Sequence, residues 1–370
     1  MSVPLLDLRA QHARIRDEVV SAMMSVVDDQ AFILGEPVAR LEEAVASLSR
    51  TPFAIGCASG TDALLLAFRA LDIGPGDEVV TTPFTFFATA GTIHNVGAKP
   101  VFADIEPLTF NLSVESAAAA VGPRTKAVVP VDLFGQMAPI EKFTAAFPGL
   151  PIIEDAAQSI GASRDAGNGR FMAGERATIG TFSFFPSKNL GAYGDGGMMV
   201  TGDEALATRL RRLRVHGGAK QYFHDEVGYN SRLDALQAAV LMAKLPHLAE
   251  WSAARREHAA YYDQAFADLA EVGTPVIDAG NESIYNQYTL RAERRDALRD
   301  HLAAEGIGNA IYYPLPLHLQ PCFAYLGYRE GSCPQSERAA REVISLPVYP
   351  ELTRSQQDQI ISAVLRFYGR

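Results

Sequence analysis

The sequence predicts an α/β fold in which helices cover both faces of a mostly parallel central sheet, followed by a smaller α+β C-terminal domain. Two observations carry this prediction. Strand-like and helix-like segments alternate over residues 77–158, and the strand-like ones are almost continuously apolar, as expected for parallel strands buried on both faces. From about residue 202 the pattern changes to long amphipathic helices, and past about 270 it becomes mixed and richer in proline.

Local sequence features predict each strand and helix. The strand-like segments are short apolar runs bounded by turn residues: 77–83, 99–105, 125–135 and 150–158. The helix predicted at 85–97 ends at a glycine. Later helices are predicted over 203–216 and 231–269, and Pro246 should kink or restart the second one.

Length and composition set the organisation and the class of protein. A chain of 370 residues is expected to form about two domains. We assign 15–250 to a large α/β domain and 251–370, together with 1–14, to a small α+β domain. A net charge of −10 argues against a nucleic-acid partner, and three cysteines without CxxC spacing indicate a reducing compartment. With neither a signal peptide nor an apolar run of bilayer length, we expect a cytoplasmic protein with no membrane partner.

Polar residues stand where the predicted strands end and a helix begins. Gly60 and Thr61 open an apolar helix directly after Ser59. These residues could cap the helix or hold an anion through free N–H groups and the helix dipole, and the two roles are compatible. Asp155 ends a strand, where it could begin a turn or face a ligand nitrogen. Gln158, three residues later, would lie on the same side.

Lys188 stands between an aromatic run and a glycine-rich turn, in FSFFPSKNLGAYGDGG. A surface lysine is the ordinary interpretation. In a ligand pocket that also holds a phosphate and a carboxylate it would be desolvated. Desolvation would lower its pKa toward neutrality, and its neutral amine could form a Schiff base with an aldehyde. An aromatic ring from TTPFTFFAT could stack on a flat heterocycle. Together, a phosphate site, a carboxylate, a stacking ring and this lysine describe a pyridoxal 5'-phosphate (PLP) site.

The chain resembles the DegT/DnrJ/EryC1/StrS family of sugar aminotransferases, within the fold-type I group of PLP-dependent enzymes. The resemblance extends over essentially the whole length. Its most specific blocks are ASGTDALLLAF, TPFTFFATAGTI, IIEDAAQSIGA, FSFFPSKNLGAYGDGGMMVT and GYNSRLDALQAAVL. It implies that the large domain, 15–250, binds PLP.

The resemblance also implies roles for individual residues. Lys188 would form the Schiff base and shuttle the proton, Asp155 would contact the pyridine nitrogen, and Gln158 would lie near the ring 3-hydroxyl. The remaining implied cofactor contacts are stacking by Phe86 and phosphate binding by Gly60, Thr61, Ser183 and, from the neighbouring subunit of a homodimer, Asn230.

The implied reaction is ping-pong transamination by transaldimination. L-Glutamate would convert the cofactor to pyridoxamine 5'-phosphate, which would then aminate a nucleotide-linked keto sugar. Residues 311–352 resemble members that act at C3, of the dTDP-3-keto-6-deoxyhexose or UDP-3-keto-hexuluronic acid type, with C4 amination as the alternative. The candidate sugar contacts are Tyr312, Tyr313, His318 and Arg232. His318 could equally be a packed histidine.

Particular residues argue against other functions. A sugar dehydratase of the same family carries histidine in place of Lys188. A nicotinamide-dependent oxidoreductase would need a GxGxxG after a strand, and the sequence has none. The histidines show no HExxH or other ligand spacing, so no metal is expected. A non-catalytic regulatory or binding protein on the same fold stays open.

Overall fold

The structure is a computed structural model that describes residues 2–370. Its strands, in chain order, are β1 (Phe53–Cys57), β2 (Glu78–Thr81), β3 (Lys99–Phe102), β4 (Thr125–Val129), β5 (Ile153–Asp155), β6 (Ser163–Asp165), β7 (Arg170–Met172), β8 (Ile179–Ser183), β9 (Gly197–Thr201), β10 (Val272–Gly273), β11 (Asn281–Glu282), β12 (Tyr288–Ala292) and β13 (Val343–Leu346). The predicted strands at 77–83, 99–105, 125–135 and 150–158 correspond to β2, β3, β4 and β5.

The central sheet is mostly parallel, as predicted. Strands β3-β2-β4 form one part and β5-β8-β9-β1 the other. The backbone N–H of Asp155 joins the two parts by donating to Pro130 at 3.0 Å, and the N–H of Asp132 donates to Asp155 at 3.0 Å. Only β9 runs against its neighbours in this sheet, as described over residues 2–370. The carboxyl ends of β5 and β8 therefore lie together at one edge, where ligands of such sheets bind.

The α-helices are α1 (Leu8–Asp29), α2 (Glu36–Leu48), α3 (Gly60–Ala70), α4 (Phe87–Asn95), α5 (Val114–Ala120), α6 (Ile140–Ala146), α7 (Glu204–Leu213), α8 (Ala235–Lys244), α9 (Leu248–Phe266), α10 (Arg295–Ala304), α11 (Pro334–Glu342) and α12 (Arg354–Phe367). Pro246 lies in a 3-10 turn between α8 and α9, which confirms that the second long helical run restarts there. None of the helices within residues 2–370 combines the length and hydropathy that a bilayer-spanning helix requires.

Both faces of the central sheet are buried, which explains its continuously apolar strands. Val79 and Ile153 pack with α3 and α7 on one face. Val80 and Ile152 pack with α2 and α8 on the other. Successive residues of a strand point to opposite faces, so an unbroken apolar run fills both layers.

A second hydrophobic core surrounds the sheet β10-β12-β13, consistent with the predicted α+β region. Val3 from the N-terminal segment packs there with residues of α9, α10 and α12. The predicted boundary at 250/251 falls inside α9. Trp251 packs with α1 and α8, whereas Tyr262 belongs to the second core. The exact division into domains stays a prediction.

Candidate active site

The start of α3, the end of β8 and the glycine turn before β9 meet at one point. Ser183 is paired with Gly197 across β8 and β9. A Cβ added to Gly60 would lie 2.6 Å from Ser183 Cβ, and one added to Gly197 would lie 2.3 Å from the Ser59 carbonyl oxygen. Because no side chain fits at either contact, glycine is required at both positions. The predicted phosphate residues Gly60, Thr61 and Ser183 are therefore neighbours.

The start of α3 is both capped and open to an anion. Ser59 Oγ accepts a 3.1 Å hydrogen bond from the Asp62 N–H, which is the capping role considered from sequence. The N–H groups of Gly60 and Thr61 lie in the first turn, where a helix offers them no carbonyl acceptor. Thr61 is exposed. Free N–H groups, a hydroxyl and the helix dipole suit a phosphate at this position.

Asp155 is a buried carboxylate at the end of β5, with 5% of its surface exposed. Thr89 Oγ1 donates to its Oδ2 at 2.7 Å, and the Ala157 N–H donates to its Oδ1 at 3.3 Å. Burial raises the pKa of Asp155, while Thr89, Ala157 and the charge of Lys188 oppose that rise. Thr89, on α4, was not identified from sequence. Its residue type is common in helices and only the fold brings it to Asp155.

Lys188 stands in the turn that follows β8, where its N–H donates to Phe185 O at 2.8 Å. Its side chain is partly exposed. Burial among protein atoms lowers the pKa of Lys188 to about 8, and the Asp155 carboxylate opposes this fall. On the order of a tenth of Lys188 is then neutral at pH 7, far more than for a free lysine. The direction of the shift is the one expected from sequence.

The residue after Lys188 fixes the backbone beside it. Asn189 is 4% exposed, and its Nδ2 donates to Ile284 O at 3.0 Å. Its Oδ1 accepts from Asn286 Nδ2 at 2.6 Å. This pair joins the lysine turn to the chain leading into β12. Sequence reasoning missed it, because the two asparagines are 97 residues apart.

Gln158 connects the end of β5 to Tyr313. Its Oε1 accepts from the Phe134 N–H at 2.7 Å, and its Nε2 donates to Tyr313 Oη at 3.3 Å. Burial raises the pKa of Tyr313, and the charge of Asp155 adds to the effect. The fold therefore brings Tyr313 to Asp155 and Gln158. The adjoining Tyr312 is partly buried and its ring lies 5.8 Å from that of Tyr313.

Three predicted residues turn their side chains outward. Phe86, at the N-cap of α4, is 58% exposed. Asn230 is exposed, and Arg232 is partly exposed. Within residues 2–370, Arg232 has no hydrogen-bond or ion-pair partner. Exposed or unpaired groups of this kind are available to a ligand or to a second subunit.

His318 occupies a different environment. It is 1% exposed, and its Nε2 lies 3.0 Å from Glu337 Oε1. The rings of Phe102 and Tyr328 pack around it. These contacts correspond to the packed histidine that the sequence left open and give no support to a sugar contact. No group of three or more His, Cys, Asp or Glu side chains is arranged to hold a metal ion in the part of the chain the structure describes.

Comparison with known proteins identifies the family of the chain. A protein of Geobacillus stearothermophilus named "Pleiotropic regulatory protein" is 50% identical, covering 100% of this chain and 99% of its own. The UDP-N-acetyl-3-dehydro-alpha-D-glucosamine 3-aminotransferase of Acidithiobacillus ferrooxidans is 46% identical, covering 99% and 98%. The crystal structure of Streptomyces venezuelae DesV superposes with a TM-score of 0.96 at 41% identity, covering 100% of this chain and 99% of that one. The profile of the DegT/DnrJ/EryC1/StrS aminotransferase family matches residues 13–365. The chain therefore belongs to the DegT/DnrJ/EryC1/StrS aminotransferase family.

Proposed function

We propose that this protein is a PLP-dependent aminotransferase that moves an amino group from L-glutamate to C3 of a nucleotide-linked keto sugar. The observation that carries the proposal is Lys188, whose pKa burial lowers to about 8 within the field of the buried Asp155. A lysine that is partly neutral at pH 7 can attack an aldehyde, whereas an ordinary surface lysine is almost wholly protonated.

The residues present fit PLP on three independent counts. The start of α3 offers free N–H groups beside Thr61 to a phosphate. Asp155 offers a buried carboxylate, suited to a protonated ring nitrogen. Phe86 offers an exposed ring for stacking. The crystal structure of Bacillus subtilis NtdA, 26% identical to this chain, has the cofactor pyridoxamine phosphate bound.

In the bound state PLP supplies an aldehyde that reacts with amines and a ring that withdraws electrons from the reacting carbon. Lys188 Nζ would hold the cofactor covalently and, as a free amine, would carry the proton to and from the reacting carbon. Asp155 would accept a hydrogen bond from the ring nitrogen and keep that nitrogen protonated. Thr89, by donating to Asp155, orients that carboxylate and favours its ionised form.

The remaining predicted residues complete the site across two subunits of a homodimer. The partner subunit's Asn230 would contact the phosphate, and the exposure of Asn230 leaves it free to do so. Arg232, unpaired within residues 2–370, binds an anionic group of the substrate. Tyr312 and Tyr313 would line the sugar side, and Gln158, which donates to Tyr313, would lie near the 3-hydroxyl of the cofactor ring.

The relative from Acidithiobacillus ferrooxidans, whose name specifies a 3-dehydro sugar, supports amination at C3. C4 amination is the alternative within the family. The name of the Geobacillus stearothermophilus relative keeps a regulatory protein as a second candidate. The proposed substrate class is a UDP- or dTDP-linked 3-keto sugar, with or without a carboxylate at C6.

An absorption spectrum of the purified protein, taken before and after L-glutamate, tests the proposal. We expect a visible cofactor band that glutamate converts to the pyridoxamine form. Product analysis with 3-keto and 4-keto sugars linked to UDP and dTDP then identifies the substrate. The Lys188→Ala variant should lack both the band and turnover. A wild-type protein that shows no cofactor band after incubation with PLP would contradict the proposal and favour the regulatory alternative.

A further inference from the structure

Lys244, the last residue of α8, is a buried lysine that has no role in the proposed amino-group transfer. Only 2% of its surface is exposed. Burial lowers the pKa of Lys244 to about 8, and the charge of Glu351 opposes this fall. Burying an ammonium group is costly unless it is held by partners. The partners of Lys244 therefore indicate what the residue does.

The hydrogen-bond partner and the aromatic partner of Lys244 both lie in the turn that follows Lys188. Lys244 Nζ donates to the Gly191 carbonyl oxygen at 2.7 Å. The same ammonium lies 4.6 Å from the centre of the Tyr193 ring, within the range of a cation–π contact. Gly191 is three residues beyond Lys188, so the buried ammonium acts on the segment that carries the reactive lysine.

Helix α8 holds this turn at a further point. The Tyr193 N–H donates to Oε1 of Gln237, which is also on α8, at 2.8 Å. Tyr193 Oη lies 2.6 Å from Nδ1 of His12 on α1. The turn is folded tightly on itself, since a Cβ added to Gly191 would lie 2.3 Å from Pro186 O. Its conformation depends on these few contacts as well as on its own backbone.

The turn is thus held from two sides. Asn189, adjacent to Lys188, is bonded to Ile284 and Asn286 on one side. Gly191 and Tyr193 are bonded to α8 on the other. We propose that Lys244 is a positioning residue: it fixes the carbonyl of Gly191 and the ring of Tyr193, and so holds the turn that carries Lys188 in the conformation seen in the structure. This inference rests on the proposed role of Lys188.

A positioning role and a purely stabilising role of Lys244 predict different properties for a Lys244→Met variant. Methionine fills a similar volume but cannot donate to Gly191 O. The substitution removes the cost of burying the charge but also the hydrogen bond to Gly191 O, and these two changes have opposite effects on the free energy of unfolding. A residue that only stabilises the fold would act on the whole chain. A positioning residue would act on the turn and on the reactivity of Lys188.

The test compares wild type, Lys244→Met and a control, Lys142→Met, at an exposed lysine. Two quantities are measured on protein freed of cofactor. One is the rate at which added PLP becomes covalently attached. The other is amide hydrogen exchange at residues 189–194, with β12 as the internal reference.

We expect Lys244→Met to slow covalent attachment and to accelerate exchange at 189–194, each by about tenfold, as loss of a hydrogen bond from a charged group would produce. Exchange in β12 and the behaviour of Lys142→Met should match wild type. Unchanged attachment and exchange, or accelerated exchange in 189–194 and β12 alike, would overturn the inference. Wild-type protein that never attaches PLP would instead refute the proposed function.

A second variant keeps the test decisive if Lys244→Met does not fold. Tyr193→Leu removes the ring beneath the ammonium and the contact with His12, at a position that is 40% exposed. We expect faster exchange at residues 189–194 in this variant too. Exchange at the wild-type rate would count against the proposed coupling between α8 and the turn.

Discussion

Thr89 Oγ1 donates a 2.7 Å hydrogen bond to Asp155 Oδ2, and both residues are buried. The bond links the first turns of α4 to the carboxyl end of β5. It leaves Asp155 with a hydroxyl donor on one oxygen and a backbone donor on the other. Since these donors stabilise the ionised form, they offset part of the burial that raises the pKa of Asp155.

As the pH is lowered, a Thr89→Val variant should therefore lose activity at a higher pH than the wild-type protein does. The hydrogen bond from Thr89 stabilises the ionised carboxylate, so loss of the bond raises the pKa of Asp155. As the pH falls, Asp155 then becomes protonated at a higher pH than in wild type. We expect the acid limb of kcat/KM to move up by about one pH unit. Thr92→Val is the matched control, because Thr92 Oγ1 bonds Ala88 O within α4. An acid limb that does not move in Thr89→Val would contradict this role.

Covalent attachment of PLP should depend on pH through Lys188. Only the neutral amine attacks an aldehyde, so the attachment rate should rise with pH and level off above about 8, the pKa of Lys188. The charge of Asp155 raises that pKa, and Asp155→Asn should therefore move the midpoint to lower pH. Stopped-flow absorbance of the cofactor-free protein measures both. A midpoint near the free-lysine value of about 10.4 would contradict the desolvated environment.

Hybrid dimers test the shared site. One subunit would carry Lys188→Ala and the other Asn230→Asp, which places a carboxylate against the phosphate. If the partner's Asn230 completes each site, a hybrid has one intact site, and a random mixture should recover about a quarter of wild-type activity. Each parent measured alone is the control. Recovery no greater than that of the parents would show that Lys188 and Asn230 act within one subunit.

Two possible roles of His318, contact with the sugar and packing in the protein interior, can be distinguished by mutation. The His318→Leu variant leaves Glu337 bonded only to the backbone N–H groups of Gly331 and Cys333 among residues 2–370, and the free energy of unfolding should fall by about 1–3 kcal/mol. We expect KM for the keto sugar to stay within about twofold of wild type, whereas Tyr313→Phe should raise it. Denaturant unfolding and steady-state kinetics measure the two effects. A large rise in KM with unchanged stability would restore the sugar-contact prediction.

The central sheet could be predicted from sequence because its signal is local. Residues 77–158 alternate between strand and helix patterns, and β2, β3, β4 and β5 follow that pattern in the structure. The break at Pro246 follows from the missing N–H and the fixed backbone angle of proline. The short sheet β11-β6-β7 was missed, because two- and three-residue strands carry too little pattern.

The candidate residues that sequence could not provide are those defined by long-range contacts. Thr89 and Lys244 look like ordinary helix residues until the fold brings one to Asp155 and the other to Gly191. Arg214 is buried against Glu42 and Gly56 O, whereas Arg232 has no such partner within residues 2–370. Residue type alone does not distinguish a free cation from a paired one, because the pairing partner can lie anywhere along the chain.

The most direct test of the account locates the covalent cofactor. The holoprotein would be reduced with borohydride, which makes the lysine–cofactor bond permanent, and digested for peptide mapping by mass spectrometry. We predict a single phosphopyridoxyl group on Lys188, absent from the Lys188→Ala variant. Two results would contradict the central claim that Lys188 is the residue that binds the cofactor. One is a phosphopyridoxyl group on another lysine, such as Lys244; the other is no labelled peptide in wild-type protein incubated with PLP.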